Sequence, residues 1–322
     1  MNNSIDAVIT WVNGNDTIWQ EKLNNYAETK INFDNKKSSK RYNSIGEIDV
    51  AIKSIIKYAP FVKNIYLVTD DQKPEKFDDL KNRAKRNNIE LVLVDHRTIF
   101  RGYEECLPTF NSCSIGCMLF RIPNLTEHFI VFNDDTFLMR ETKPSDFFID
   151  GKPIIRGKWS RFDEDRHLRN LYHSFKFFFR KNIKSNKKGF KNFQQTSAKL
   201  AGTKNYLRRF HTPVCIRKST LESFFVTNKL LKENVKYRFR NKSQFIISSL
   251  SEHLEIRNKT FHFSSQTNLT YFRSYKKLLL TKLKLYLFKI NKKKLFMTFQ
   301  SLELANQKTQ DYILAWINKR LD

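Results

Sequence analysis

The sequence predicts an α/β fold, with a mostly parallel, Rossmann-like sheet that carries helices on both faces. Short apolar runs alternate along the first half of the chain with segments whose apolar residues recur at helical spacing. Four of the apolar runs end in polar, mostly acidic residues, which is typical of strands that enter a loop at the edge of a sheet. Such alternation indicates β-α-β units and therefore parallel strands. We expect a basic helical insertion and C-terminal helices to complete the fold.

The predicted elements of the first half follow one another closely. Glu47–Tyr58 carries four isoleucines and an alanine at helical spacing, and Pro60 ends this helix. A second, basic helix is predicted at residues 74–88, and a closing helix at residues 301–321. The predicted strands are residues 6–12, 64–69, 89–94 and 129–132.

The charge of the chain is strongly basic. It has 59 Lys and Arg residues against 32 Asp and Glu residues, and its formal net charge is +27 at pH 7. Such a charge predicts an anionic partner: nucleic acid, an anionic membrane surface or a phosphate-rich substrate. The alternative explanation of the basic composition is codon usage, because a low-GC genome favours the codons of Lys and Asn.

Two acid-free segments concentrate this charge. Residues 166–221 contain no Asp or Glu, and they form either a basic insertion or a surface that contacts a polyanion. Residues 272–296 interleave Leu and Phe with nine basic residues. As a helix this second segment is basic and amphipathic, which is typical of helices that lie on a membrane surface. The alternative is an ordinary helix that packs its leucines on the core.

The start of the chain shows no secretory signal, and no apolar run approaches the ~20 residues that a membrane span needs. We therefore expect a cytoplasmic protein. Residues 272–296 are a candidate segment for holding it on the inner face of the plasma membrane. Reduced thiols are expected in that compartment. A zinc site on three of the cysteines is an alternative that no CxxC pair supports. The cysteines are Cys106, Cys113, Cys117 and Cys215, and the zinc alternative involves the first three.

Polar residues at the ends of the four predicted strands are candidates for a ligand site. Ligands bind parallel sheets beyond the carboxyl ends of the strands. Four such ends in register therefore predict an active-site rim. The groups are Asn13 with Asp16, Asp70 with Asp71, Asp95 with His96, and Asn133 with Asp134 and Asp135.

Asp134 and Asp135 are the clearest local indication of a functional site in the sequence. Two carboxylates at a strand tip can coordinate Mg²⁺ or Mn²⁺, and such an ion can bridge the oxygens of a nucleotide diphosphate. The alternative for this pair is a turn or a helix N-cap.

Glu47 lies in the first turn of a predicted helix, where the helix dipole alone favours an acid. Arg41, just upstream, could pair with phosphate in a bidentate manner.

His211 lies in the basic sequence FHTPVCIRKS. Neighbouring cations favour the neutral form of a histidine, which suits a general base, although a lone histidine is more often structural. Arg238 and Arg240 alternate with aromatic residues in YRFRNKSQF, as in a strand that turns both guanidinium groups to one face. Such a face would bind phosphate, and the alternative is a solvated basic edge.

Taken together and in order, these segments resemble the Stealth family of sugar-phosphate transferases. This family includes bacterial capsular and exopolysaccharide phosphotransferases and the animal GlcNAc-phosphotransferase that tags lysosomal enzymes. The first similar block is IDAVITWVNGND, and the longest runs from RYNSIGEIDV through VDHRTIF to FNDDTFL and SDFFIDGKP. The third block is HTPVCIRKSTLESF with YRFRNKSQF, and the fourth is FQSLELANQKTQDYILAWINKRL.

The resemblance implies a reaction centre of five residues and a binding shell of four. The reaction centre consists of Glu47, Asp134, Asp135, His211 and Arg240. The residues around the nucleotide or its phosphates are Asn13, Asp16, Arg41 and Arg238. The chain departs from the family pattern at Ile48, where many members have Leu, and at Gln244, where many have an acid. It also has Gln300-Ser301 where other members have an Asn-Asp pair, which puts a second metal or calcium role of that block in doubt.

The resemblance also implies the reaction and its partners. A UDP-sugar, with a hexosamine as the expected sugar, donates its sugar-1-phosphate to a hydroxyl of a growing polysaccharide, and UMP is released. The implied cofactor is Mg²⁺ or Mn²⁺ on Asp134 and Asp135, and no nucleic acid takes part. One rival is a metal-dependent glycosyltransferase that releases UDP. The other is a non-enzymatic polyanion-binding protein, which leaves the acids at the rim unexplained.

The expected organisation of the chain has four parts. Residues 1–160 form a nucleotide-sugar-binding α/β core, and residues 161–210 form the basic insertion. Residues 211–270 form a catalytic segment that completes the core. Residues 271–322 form the C-terminal basic amphipathic helix and the closing helix.

Overall fold

The computed structural model describes residues 4–35, 42, 46–165 and 189–322, and twelve strands and eleven α-helices lie within these ranges. The strands are β1 (Ile5–Thr10), β2 (Val62–Thr69), β3 (Glu90–Asp95), β4 (His128–Asn133), β5 (Thr136–Leu138), β6 (Phe148–Ile149), β7 (Lys152–Ser160), β8 (Tyr206–Arg209), β9 (Val214–Arg217), β10 (His262–Ser264), β11 (Leu269–Phe272) and β12 (Phe296–Phe299). The helices are α1 (Thr17–Tyr26), α2 (Glu47–Tyr58), α3 (Phe77–Arg86), α4 (His96–Ile99), α5 (Ser112–Met118), α6 (Phe190–Leu200), α7 (Lys218–Val226), α8 (Leu230–Val235), α9 (Ile247–Asn258), α10 (Leu278–Ile290) and α11 (Gln307–Leu321).

The central sheet has five strands in the order β3-β2-β1-β4-β9. The first four run parallel to one another, and β9 runs antiparallel to β4 at the edge. All four strands predicted from the sequence form, and α2 has the predicted limits. The predicted fold class, a mostly parallel sheet in an α/β protein, is therefore confirmed.

Two apolar layers enclose the central sheet. On one face Ile9 of β1 belongs to the same buried cluster as Ile52 of α2. On the other face Val8 of β1 belongs to the same cluster as Leu250 of α9. Successive side chains of a strand point to opposite faces, so β1 is buried on both sides. This is why the strand is a continuous apolar run and does not alternate between apolar and polar residues.

The loops after β1 and β2 are fastened together. The backbone N–H of Asn13 donates to the Gln72 side chain at 2.8 Å, and the Gln72 amide donates to the Asn13 carbonyl at 3.1 Å and to Asp16 at 2.8 Å. A Cβ atom on Gly14 would lie 1.8 Å from the carbonyl oxygen of Tyr42. Only glycine fits at this position, so the chain that leads to α2 is packed directly against the loop after β1.

Two smaller sheets lie beside the central one. In the first, β12 pairs with parallel β11 and antiparallel β5. In the second, β7 pairs with parallel β10 and with antiparallel β6 and β8. Along the chain β5 directly follows β4, and β8 directly precedes β9. Both small sheets therefore join the central sheet at the carboxyl end of β4.

Several predictions for the second half of the chain are wrong in detail. Arg238 and Arg240 lie in a bend between α8 and α9 and not in a strand. The helix predicted at residues 272–296 is limited to α10, because its predicted ends belong to β11 and β12. The closing helix begins only at α11, where the Asn306 side chain caps it by accepting a backbone N–H at 2.9 Å.

Residues 166–188 of the predicted basic insertion lie outside the described residues. Among the helices that the structure does describe, none combines the length and the apolar character needed to cross a membrane.

Asp6 joins three segments at the amino end of β1. Its buried carboxylate accepts the backbone N–H of Asn64 at 3.1 Å, the side-chain amide of Asn64 at 2.9 Å and the backbone N–H of Thr126 at 2.8 Å. A buried carboxylate loses its hydration, and these three donors offset that loss. The contacts hold the start of β2 and the segment before β4 in register with β1.

Asp6→Asn should lower the free energy of unfolding by about 1–3 kcal/mol, because the new amide leaves a buried N–H without an acceptor. Chemical denaturation followed by circular dichroism measures this change. The control is Asp78→Asn, the same chemical change at a side chain that is 72% exposed and paired with Lys73. We expect that control to change stability little. Equal losses in the two variants would contradict the role given to Asp6.

Candidate active site

The carboxyl end of β4 and the turn before β9 bring a histidine next to a carboxylate. His211 lies in the turn between β8 and β9. Because β9 is antiparallel to β4, with Val214 opposite Val131, this turn lies beside the end of β4. The Nε2 atom of His211 is 3.4 Å from Asp135 Oδ1 and 3.1 Å from the amide nitrogen of Asn133. The geometry thus joins the predicted base to one of the predicted metal ligands.

The small sheet of β11, β12 and β5 holds this histidine. The His211 ring stacks on Tyr271, with ring centroids 5.3 Å apart and planes inclined by 17°. The Thr298 hydroxyl lies 3.2 Å from the carbonyl oxygen of His211, to which it donates, and 3.0 Å from the Thr136 hydroxyl. Thr136 in turn donates to Asp135 at 3.2 Å. The same group of hydroxyls therefore positions both the histidine backbone and the carboxylate that it faces.

Arg209 supports the turn from the opposite side. Its guanidinium donates to the carbonyl oxygen of Thr212 at 2.9 Å and forms a buried ion pair with Glu252 of α9 at 3.5 Å. Burial raises the pKa of Glu252 to about 7, although Arg209 opposes the shift. The prediction that cations surround His211 is therefore wrong. Arg209 turns to Glu252, and the side chain that contacts His211 is the carboxylate of Asp135.

Four acidic side chains, Glu47, Asp134, Asp135 and Glu303, form what we call the carboxylate cluster. Burial raises the pKa of Asp134 to about 8, and the charges of Asp135 and Glu47 add to the shift. Burial also raises the pKa of Tyr275, and Asp135, Glu303 and Glu47 raise it further. Asp134 therefore lies within electrostatic range of Asp135 and Glu47, and Tyr275 lies within electrostatic range of Asp135, Glu303 and Glu47.

The carboxylate cluster suits a hard divalent cation. Mg²⁺ and Mn²⁺ prefer carboxylate oxygens, and a cation would favour the charged form of Asp134, whose pKa is raised by burial and then by the neighbouring acids. Among the described residues no three His, Cys, Asp or Glu side chains are arranged to hold a metal ion by themselves. Asp134 and Asp135 could hold such a cation only together with ligands from water or substrate, an arrangement that Mg²⁺ commonly has.

The predicted binding residues of the first loop are engaged by the protein itself. One carboxylate oxygen of Asp16 caps α1 by accepting two backbone N–H groups at 3.0 and 3.3 Å, and the other accepts from Gln72 at 2.8 Å. The Asn13 side chain accepts the backbone N–H of Asn15 at 3.0 Å. Both side chains thus shape the loop after β1.

The tips of β2 and β3 are also linked to each other and to the helices. Asp70 pairs with Lys22 at 2.7 Å and lies 3.8 Å from Nδ1 of His96. The backbone N–H of Asp71 donates to Asp95 at 2.8 Å. Burial lowers the pKa of His96 to about 4, so this histidine stays neutral near pH 7. Most polar groups at these two tips therefore have partners within the scaffold.

Arg238 and Arg240 meet different surroundings, so the predicted common face is not formed. The half-buried Arg238 donates to two backbone carbonyl oxygens, at 3.2 and 3.1 Å. Arg240 is exposed and donates to the Ser112 hydroxyl at 2.7 Å, at the start of α5. Arg41 lies outside the described residues.

Three residues around the carboxylate cluster and His211 were not predicted from the sequence: Tyr271, Tyr275 and Glu303. The hydroxyls of both tyrosines donate to Gln300, at 2.6 Å to its side chain and 3.0 Å to its backbone carbonyl. The alternating pattern LTYF could have indicated β11 and therefore Tyr271. Tyr275 and Glu303 carry no motif, and only the return of β12 beside β11 brings them to the site.

The cysteines do not contribute to this site. All four are buried free thiols, and burial raises the pKa of Cys215 to about 12 and also raises that of Cys117. Thiols of this kind pack as small apolar side chains and are weak nucleophiles. Cys106, Cys113 and Cys117 form no metal-binding group within the described ranges.

Two conserved-region models of one protein family match this chain. Stealth protein CR1, conserved region 1, matches residues 3–30, and Stealth protein CR2, conserved region 2, matches residues 41–154. The first match contains β1 and α1. The second contains α2 to β6 and with them Glu47, Asp134 and Asp135.

Bacterial relatives extend the similarity over most of the chain. The capsular polysaccharide phosphotransferase WcwK of Streptococcus pneumoniae is 32% identical over 259 residues, which are 75% of this chain and 75% of the relative. The receptor polysaccharide phosphotransferase WefC of Streptococcus gordonii is 34% identical over 257 residues, 74% of each chain. Among solved structures, the galactosyltransferase LgtC in complex with donor and acceptor sugar analogs aligns with a TM-score of 0.46 at 9% identity, over 98% of this chain and 95% of that chain.

The family assignment rests on the conserved-region matches and on the bacterial relatives together. Both relatives are transferases by name, and the alignments include most of each protein. The residues at the end of β4 lie inside the second conserved region. The chain therefore belongs to the Stealth family, and it is a transferase.

Proposed function

We propose that this transferase moves a sugar-1-phosphate, with a hexosamine as the sugar, from a UDP-sugar to a hydroxyl of a growing capsular or exopolysaccharide, and releases UMP. The observation that carries the proposal is the position of His211 beside the carboxylate cluster at the end of β4. Relatives named as capsular and receptor polysaccharide phosphotransferases support the same class of reaction. The UDP donor and the hexosamine follow from the family resemblance.

His211 is placed to take the proton of the acceptor hydroxyl. In the neutral ring, Nε2 can accept from the Asn133 amide at 3.1 Å, and an acceptor hydroxyl can take the place of that amide. The His211 side chain is 28% exposed, so a substrate can reach it. Once Nε2 carries the proton, it faces Asp135 at 3.4 Å, and this carboxylate stabilises the imidazolium.

The proposed step forms one bond and breaks one. The acceptor oxygen bonds to the phosphorus next to the sugar, while the bond from that phosphorus to the bridging oxygen of the diphosphate breaks. The bridging oxygen leaves as part of UMP, and the proton of the acceptor passes to Nε2 of His211. The product is a sugar-phosphate-sugar linkage. Positioning and charge neutralisation supply most of the rate in phosphoryl transfers of this kind.

The charges around the site must be balanced before a diphosphate can bind. Asp134 and Asp135 would hold the divalent cation, Mg²⁺ or Mn²⁺, and Glu47 adds negative charge within electrostatic range of Asp134. When bound, such an ion supplies positive charge to the phosphoryl oxygens. We also assign the exposed guanidinium of Arg240, which donates to Ser112, to the binding of the same oxygens. Arg238, already bonded to two carbonyl oxygens, is better suited to a positioning role.

The released nucleotide tests the reaction itself. Purified protein, Mg²⁺ or Mn²⁺, an oligosaccharide acceptor and a panel of UDP-sugars should yield UMP, separated from UDP by ion-exchange chromatography. ³¹P NMR of the glycan should show a new phosphodiester, because the phosphorus next to the sugar is transferred with it. A glycosyltransferase acting through the same acids would break the sugar–oxygen bond instead. UDP release with a phosphorus-free glycan would therefore overturn the proposal.

Asp134→Asn and Asp135→Asn should each abolish turnover, because each removes a charge that the divalent cation needs. Excess EDTA should do the same to the unaltered protein. The matched control is Asp71→Asn, at a strand tip outside the carboxylate cluster, where the side chain is 75% exposed. That variant should keep its activity, and all three should unfold cooperatively by circular dichroism. Full activity in EDTA would disprove the metal assignment.

His211→Ala should lower the turnover rate by roughly 10²–10⁴, the usual loss when a general base is removed, with a smaller effect on donor affinity. Steady-state kinetics and calorimetric titration of the donor measure the two effects separately. His262→Ala, in a different sheet, serves as the control histidine. If donor binding collapses while turnover at saturation stays normal, His211 is a binding residue and not the base.

A further inference from the structure

Helix α10 is apolar on two opposite faces. Its inner face, with Thr281, Leu285 and Phe288, is buried against the rest of the molecule. Its outer face exposes large apolar side chains, which range from 49% to 77% exposed. We call this outer face the apolar stripe, and it consists of Leu279, Leu280, Leu283, Tyr286, Leu287 and Ile290.

The apolar stripe is continuous along the helix. Its members are spaced at intervals of one, three or four residues, so at 100° per residue they fill an arc of about 120°. The buried residues of α10 lie on the opposite side of the helix axis. Single exposed apolar residues are ordinary, but six on one face of one helix indicate a surface that is covered by something else.

Cations border the apolar stripe, and acids are missing from the surrounding sequence. Lys282 and Lys289 are exposed along one edge of the stripe, and Lys277 and Lys292 lie just beyond the two ends of the helix. Residues 256–302, which contain α10 and its neighbours on both sides, include no Asp or Glu. A helix that presents an apolar face bordered by lysines is suited to the interface of an anionic bilayer.

The helix is held rigidly in this orientation. The Arg140 guanidinium donates to the carbonyl oxygens of Phe288 and Lys289, at 2.7 and 3.0 Å, and so binds the carboxyl end of α10. Lys284 turns inward, where its ammonium donates to the carbonyl oxygen of Tyr271. The apolar stripe is thus presented by a fixed scaffold and cannot fold back onto the core.

We propose that α10 docks on a bilayer of anionic phospholipid, with the apolar stripe in the headgroup boundary and the bordering lysines against lipid phosphates. A second copy of this chain is a poorer occupant. A two-fold contact between two stripes would bring the lysines of both copies together, and the segment around α10 offers no acid to pair with them. Anionic lipid satisfies both the apolar and the cationic part of the surface.

Docking in this way would hold the candidate active site close to the membrane. Lys284 of α10 contacts Tyr271, and the ring of Tyr271 stacks on His211. Tyr271 therefore contacts both the docked helix and His211. The docking proposal itself does not depend on which nucleotide or sugar the enzyme uses.

Flotation of the full chain with vesicles tests the proposal. The protein should float with vesicles that contain phosphatidylglycerol, remain in the soluble fraction with pure phosphatidylcholine vesicles, and detach in high salt. Lys282→Glu with Lys289→Glu should lower the bound-to-free ratio by about tenfold or more, because both charges are reversed at the membrane surface. Leu283→Ser with Leu287→Ser should have a similar effect at low salt through the loss of apolar contact.

The matched control is Val226→Ser with Ile18→Ser, which removes two apolar side chains outside the apolar stripe that are more exposed than Leu283 and Leu287. It should float like the unaltered protein. All altered positions are exposed, so the thermal unfolding of every variant should match that of the parent chain. Recovery in the soluble fraction with both kinds of vesicle would overturn the proposal. The proposal would also be overturned if the protein binds no vesicles and sedimentation shows a dimer that Leu283→Ser with Leu287→Ser dissociates.

Discussion

The antiparallel pairing of β4 with β9 is the interaction on which the candidate active site depends. The four parallel strands of the central sheet all end at one edge, and residues after those ends gather there. A parallel neighbour of β4 would begin at the opposite edge. Because β9 runs the other way, the turn before it arrives at the end of β4 and carries His211 to Asp135. Strand direction alone thus brings together two residues that are 76 positions apart in the chain.

The candidate active site differs from the scaffold around it in how its acidic side chains are paired. The acids at the tips of β1, β2 and β3 are neutralised or bonded by groups such as Lys22, Arg97 and Gln72. At the tip of β4, Asp135 and Glu47 add to the raised pKa of Asp134, and the same two acids add to the raised pKa of the nearby Tyr275. A protein that only needed a stable loop would gain nothing from this repulsion. The unbalanced negative charge at β4 supports the divalent cation that we propose for this site.

Sequence patterns predicted the central sheet well because buried parallel strands are continuous apolar runs. They could not predict β5 and β12, which are three and four residues long and pair over a separation of 162 residues. Asp16 and Asp134 both follow an apolar strand, and nothing in the sequence distinguishes the capping carboxylate from one in the carboxylate cluster. The alternation around Arg238 suggested a strand, but Phe239 stacks on Phe110 at 5.5 Å within a bend. The acids and His211 were predicted as site residues because they stand in ordered blocks that resemble those of a known family.

The contacts of Thr298 and Tyr271 with His211 have a consequence for the order in which the protein is made. The central sheet is complete once β9 has left the ribosome, at residue 217 of 322. The histidine at its edge still lacks its stacking ring until β11 folds, and its hydroxyl contact until β12 follows. Nascent chains and chains cut short in their last third therefore contain all five strands of the central sheet but lack a positioned His211. With His211 as the base that we propose, the enzyme becomes active only when nearly the whole chain has been synthesised.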